Sequence, residues 1–162
     1  MKGYLLDTDI VVYLFRNQKG IAQHLATISP ENIYISEVTV AELEYGNYCG
    51  GRYEENKELL DRFLSCVNVV PFSAAINIYA KERFRLKSIG MGIEDFDLLI
   101  GCTSVAKNLT MVTNNIKHYS RITEPTLKSK ACLKCLYFTI IIFDLCRYLE
   151  YFSYLYTINQ TE

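Results

Sequence analysis

Short apolar runs recur along this chain with helix-like stretches between them, and that alternation limits the fold more than any other feature. Residues 3–7 read as a short buried strand, and 33–35, 67–72 and 109–113 as three more. Between them, residues 10–15 stay apolar without alternation, as a helix does after a turn at Asp7-Thr8-Asp9. Ile21, Leu25 and Ile28 fall at helical spacing, and Ser36 is placed to cap a helix closing near Gly46. Residues 48–52, with Gly50-Gly51, form a flexible connection. Residues 54–64 make an amphipathic helix with Leu59, Leu60, Phe63 and Leu64 inward. Ser73 is positioned to cap a helix ending near Gly90, and Asp95 or Asp97 opens another to about Lys107. Strands alternating with helices predict a parallel α/β sandwich.

The chain has 162 residues, half of them hydrophobic, which is enough for one domain with a real core. Its net charge of −1 sets up no global basic field for nucleic acid, although a local patch would suffice for a small catalytic site. Two histidines are too few for a His-rich metal centre. Strand-like sequence begins at once, without a signal-peptide pattern, and the six cysteines lack a secreted-scaffold setting, so a reduced, cytoplasmic protein is expected. No stretch reaches the roughly 20 apolar residues of a membrane span.

Three acids stand out by position. Asp7 ends the first strand-like run, Glu42 lies in the helix that follows the second, and Asp97 precedes the apolar helical run 98–102. Acids at the edges of separate elements can converge at the carboxyl end of a parallel sheet, where open α/β folds place their sites. A group of carboxylates would repel itself unless it held positive charge, and its oxygens suit a hard divalent ion such as Mg²⁺. Such an ion can polarise a phosphoryl oxygen and activate water against a phosphodiester. Asn115, just past the fourth strand, is a candidate neutral oxygen ligand, and Asp95 a second nearby carboxylate. Each acid also has an ordinary reading. Asp7 can cap a helix, Glu42 can be a solvated glutamate, and Asp95 and Asp97 can be first-turn acids favoured by the helix dipole. Arg83, Arg85, Lys87 and Lys107 read as a solvated face or as phosphate contacts.

Four segments in order carry a resemblance: Leu5-Leu6-Asp7-Thr8-Asp9-Ile10, the stretch 35–46 around Glu42, Asp97-Leu98-Leu99-Ile100-Gly101-Cys102-Thr103, and Met111-Val112-Thr113-Asn114-Asn115. Together they resemble VapC-type PIN-domain toxins over about residues 2–122. The resemblance implies a PIN-like three-layer sandwich with a short central parallel sheet of four or five strands flanked by helices. It implies a Mg²⁺-dependent endoribonuclease, with Mn²⁺ able to substitute, that cuts structured RNA such as tRNA or rRNA. It further implies a VapB-like antitoxin that blocks the site, and a homodimer. Carried over by position, Asp7, Glu42 and Asp97 form the catalytic metal site, Thr8 supports the Asp7 turn, and Asn115 stands where some members have a fourth polar or acidic residue.

Three departures qualify the match. Asp9 replaces a usual Asn, and His118-Tyr119 replaces a frequent acidic-Phe pair. The third is the tail: residues 1–127 form the PIN-like unit, whereas 128–162 are tyrosine-rich, hold three of the six cysteines and lack the acidic-Asn-Trp ending. That tail reads as frameshifted or read-through, with loss of the last edge strand expected. Cys132 and Cys135 alone make a weak zinc signal. Two other functions compete: an impaired PIN module that only binds antitoxin, and a phosphatase of the haloacid-dehalogenase type, for which Asp7 and Asp9 would be nucleophile and acid.

Overall fold

The computed structural model describes residues 3–123 and the backbone of 126–129. Five strands form one sheet: β1 (Tyr4–Leu6), β2 (Ile33–Ser36), β3 (Asn68–Val70), β4 (Thr110–Thr113) and β5 (Thr126–Ser129). Their order is β3-β2-β1-β4-β5, and every neighbouring pair is parallel. Parallel strands need crossovers, and seven helices supply them: α1 (Thr8–Phe15), α2 (Ile21–Leu25), α3 (Glu37–Cys49), α4 (Tyr53–Cys66), α5 (Ile76–Ser88), α6 (Asp95–Ala106) and α7 (Ile116–Tyr119).

Strand side chains alternate between faces, and both faces are covered. Leu5 and Met111 enter one core with Leu86 of α5, Leu98 and Ile100 of α6 and Tyr119 of α7. One residue on, Leu6 and Val112 enter a second core, with Ile10 and Val11 of α1, Ile35 of β2 and Leu60 of α4. Two cores separated by one sheet make the expected three-layer sandwich. Because β1 lies at the centre, Asp7 leaves the sheet at its middle, where its N–H donates to the Val112 carbonyl at 3.0 Å.

Local chemistry shifts several boundaries. Ser36 does cap α3, its hydroxyl accepting from the Val38 N–H at 3.3 Å. That helix runs through Gly46 to Cys49, because one interior glycine costs only about 1 kcal/mol against the packing of the helix. β3 is shorter than the expected 67–72: Pro71 has no N–H to offer a ladder, and a 3-10 turn, Phe72–Ala75, follows at once. The helix after it starts at Ile76 with Ala75 before it and no side-chain cap, so Ser73 lacks the capping role expected of it. Gly90, at φ +67°, follows the end of α5 in the left-handed conformation that glycine adopts freely.

The sheet has the larger of the two strand numbers expected, so an edge strand that the atypical tail was expected to lose is present. The sheet does not stop at β4: β5 pairs with it in register from Thr110↔Thr126 to Thr113↔Ser129 and crosses the boundary read at residue 127. Cys132, Cys135 and the remainder of the atypical tail lie outside the described residues. Among the described residues, no helix is long and apolar enough to cross a membrane.

Candidate active site

Asp7 occupies the end of β1 and the cap of α1. Its carboxylate is 5% exposed and accepts three hydrogen bonds. Oδ1 takes the Thr8 N–H at 2.9 Å and the Tyr119 hydroxyl at 2.9 Å, and Oδ2 takes the Thr113 hydroxyl at 2.6 Å. The helix-cap reading of Asp7 holds, and the same carboxylate is anchored from β4 and α7. All three donors are neutral. Burial, with the neighbouring Asp9 charge adding to it, outweighs them and pushes the Asp7 carboxyl up from 3.8 to about 6.

Glu42 reaches the same place from α3. The Thr8 hydroxyl donates to its Oε2, so Thr8 serves both acids, its N–H on Asp7 and its side chain on Glu42. The Glu42 carboxyl is also raised, by desolvation first and then by the charges of Asp97 and Glu94. Asp97, in the first turn of α6, receives His118 and Asn115. His118 Nδ1 lies 2.8 Å from Asp97 Oδ2, and Asn115 Nδ2 lies 3.4 Å from the same oxygen and 2.7 Å from the imidazole. A carboxylate only accepts, so the contact with Asp97 needs the imidazole proton on Nδ1, and Nδ1 then cannot also accept from the Asn115 amide. Asn115 is further held by its own N–H, donating at 2.8 Å to the Thr113 hydroxyl that serves Asp7.

The structure thus brings Asp7, Glu42, Asp97, Thr8 and Asn115 together through shared partners. Asp95 goes elsewhere. Two residues along a helix is about 200° of rotation, so Asp95 leaves α6 away from Asp97. Its oxygens accept from the Tyr79 hydroxyl at 3.0 Å and from the Arg83 guanidinium at 2.8 Å, tying α6 to α5. Arg85 is also spoken for, by Glu82 and by the Arg121 carbonyl. Lys87 lines a cleft of about 460 Å³ with Arg83, Gly90, Gly92 and Glu94.

Two contributors were not legible in advance. Thr113 and Tyr119 hold Asp7 across 106 and 112 residues of chain. Asp9 stands beside them: its Oδ2 accepts from the Asn114 N–H at 3.3 Å, and its Oδ1 is buried without a partner. An unusual His-Tyr pair beside the fourth strand was the available signal for α7, but its targets emerge only in three dimensions.

The group suits a hard divalent cation in its chemistry. Its donors are oxygens, it has no thiolate, and Asp9 offers a buried oxygen with spare acceptor capacity. Among the described residues, no three Asp, Glu, His or Cys side chains already surround a single point. What links the acids is their shared hydrogen-bond partners, together with the charge of Asp97 bearing on Glu42 and that of Asp9 on Asp7.

Comparison with known proteins identifies the family. Residues 4–124 match the PIN domain family. The ribonuclease VapC2 of Rickettsia felis is 39% identical over 122 residues, covering 74% of this chain and 91% of the relative. The tRNA(fMet)-specific endonuclease VapC of Shigella flexneri is 27% identical over 123 residues, covering 75% of this chain and 93% of its own length. In structure, a VapBC2 complex from Rickettsia felis, crystallised on a DNA fragment from its promoter, superimposes with a TM-score of 0.72 at 35% identity. That match covers 78% of this chain and 97% of the other. The family match runs from the strand that carries Asp7 past the short helix that carries His118 and Tyr119, and on these grounds the chain belongs to the VapC-type PIN-domain ribonuclease toxins.

Proposed function

We propose that this nuclease is a Mg²⁺-dependent endoribonuclease toxin that cuts structured RNA such as tRNA or rRNA, with Mn²⁺ able to replace Mg²⁺. The observation that carries the reading is the convergence of Asp7, Glu42 and Asp97 into one group that, among the described residues, has no Lys or Arg paired to it. Burial first, and then the charge of Asp9 beside Asp7 and of Asp97 and Glu94 beside Glu42, raises the two carboxyls, and positive charge relieves that cost.

Asp7, Glu42 and Asp97 would hold the ion, with Asp9 adjacent. Thr8 orients Glu42, Thr113 and Tyr119 orient Asp7, and Asn115 with His118 orients Asp97. When bound, Mg²⁺ supplies Lewis acidity that polarises a phosphoryl oxygen and eases attack by water. The acids sit at the partly exposed rim of the sheet, and Lys87 and Arg83, the latter paired with Asp95, line a cleft by the start of α6 where a phosphate could be met. Support for RNA as substrate comes from the relatives, one a ribonuclease and one a tRNA endonuclease by name. A VapB-like antitoxin is the proposed partner, because the structural neighbours include VapBC complexes, and a homodimer is the proposed assembly.

The test uses the full chain with tRNA and rRNA. Cleavage should need Mg²⁺ or Mn²⁺, stop with EDTA, and disappear in Asp7→Asn and Asp97→Asn. RNA left intact under both metals would sink the enzyme reading; antitoxin binding without cleavage would then identify an impaired module.

A further inference from the structure

The one-turn helix α7 carries two adjacent side chains that reach two different acids. Tyr119 is fully buried, and its hydroxyl meets Asp7 Oδ1 at 2.9 Å. His118 stays partly exposed and meets Asp97 Oδ2 at 2.8 Å. The acids come from separate elements, the end of β1 and the first turn of α6, so α7 spans the site.

A buried tyrosine hydroxyl generally finds some acceptor, so one bond proves little. The surroundings make this one specific. Tyr119 gets close enough because α6 carries glycine at position 101. A Cβ there would run into Ile122 Cδ1 and come within 3.0 Å of Tyr119 Cδ1. Gly101 lies four residues after Asp97, on the same face of α6. One face of α6 therefore presents an acid to His118 and a gap to Tyr119.

We propose that His118 and Tyr119 are positioning residues: α7 clamps Asp97 and Asp7 with two donors, so that both carboxylates face a divalent cation already oriented. This rests on the metal-site reading above and deepens it. Hydrogen-bonded partners of ligating carboxylates fix their orientation, and losing such a partner typically weakens metal binding by about 10- to 100-fold. With Thr8, Thr113 and Tyr119 in place, Asp7 has three of roughly four lone-pair positions filled. One direction is left for an ion.

Mn²⁺ alone is the probe, titrated into full-length protein and followed by the electron paramagnetic resonance of free Mn²⁺. Wild type should bind saturably, and Asp7→Asn and Asp97→Asn should not. Tyr119→Phe keeps the ring and removes only the donor. It should bind Mn²⁺ about 10-fold more weakly with an unchanged circular dichroism spectrum. Its cleavage defect should be repaired by raising Mn²⁺, which damage to the fold would not be. His118→Ala should show a similar loss, and His118→Asn, whose amide places a donor near the Nδ1 position, should recover to within about threefold of wild type.

Equal or tighter binding by both Tyr119→Phe and His118→Ala overturns the clamp while leaving the metal site standing. Failure of wild type itself to bind overturns the site and the clamp with it. If Tyr119→Phe does not fold, the His118→Ala and His118→Asn pair decides alone: no loss, or loss without recovery, overturns the proposal.

Discussion

Asp7 and Glu82 are both buried acids, 5% and 4% exposed, held in opposite ways at two places in the molecule. At the rim of the sheet, Asp7 receives neutral donors only, and its carboxyl rises to about 6. Under α5, Glu82 receives the Arg85 guanidinium through both oxygens, at 3.1, 3.2 and 2.7 Å, and the Thr123 N–H at 3.0 Å. Its carboxyl falls below the ordinary glutamate value, chiefly through Arg85. Glu82 has its counter-charge inside the fold and fastens α5 to the segment after α7. Among the described residues Asp7 has none, only neutral donors. A buried acid with donors but no cation marks a place meant to meet one.

The contrast breaks first at Asp7. Asp7→Asn should lower RNA cleavage on the order of 10³-fold or more, measured by gel assay on tRNA. A variant retaining most activity would remove Asp7 from the chemistry.

The next largest effect is on stability. Asp7 holds its proton more tightly folded than unfolded, so its contribution is complete below 3.8 and is lost as pH rises through about 6. That change corresponds to about 3 kcal/mol at neutral pH. In chelator, Asp7→Asn should therefore gain stability relative to wild type as pH climbs from about 4 to 6, with no further gain above. Urea unfolding across that range measures it; a flat difference would mean Asp7 is better compensated than its neighbours imply.

Glu82→Gln should act the other way. Losing the charge-assisted bonds to Arg85 should cost about 1–3 kcal/mol at pH 7. Because the Glu82 carboxyl is lowered in the fold, its contribution is present above the ordinary value of 4.5 and fades as pH falls below it. The penalty of the variant should shrink on acidification, where that of the Asp7 charge disappears. Asp95→Asn completes the series. Its partner Arg83 is exposed, so its removal should cost no more than about 1 kcal/mol by the same unfolding measurement.

The parts legible in the sequence are those fixed by local pattern. β1, β2 and β4 are runs buried on both faces, and Ser36 caps through a hydroxyl two residues from its target. The acids Asp7 and Asp97 stood out because each sits at an element edge of a parallel fold, whereas Glu42, inside α3, stood out only through the family-like segment around it. Asp95 was misplaced because sequence neighbours two apart on a helix point apart. β5 escaped notice because an edge strand is made by pairing with β4, and its own residues, Thr-Leu-Lys-Ser, carry little periodic signal. Thr113 and Tyr119 were invisible as partners of Asp7 for the same reason: the pairing is made across the whole fold.

The parallel sheet also gives the molecule a front and a back. Every strand runs the same way, so Gly3 enters on the rim opposite Asp7, while Ser129, in register with Thr113, leaves beside it. A reporter or tether joined ahead of β1 is launched from the quiet side. One joined directly after β5 starts from the rim that holds the acids.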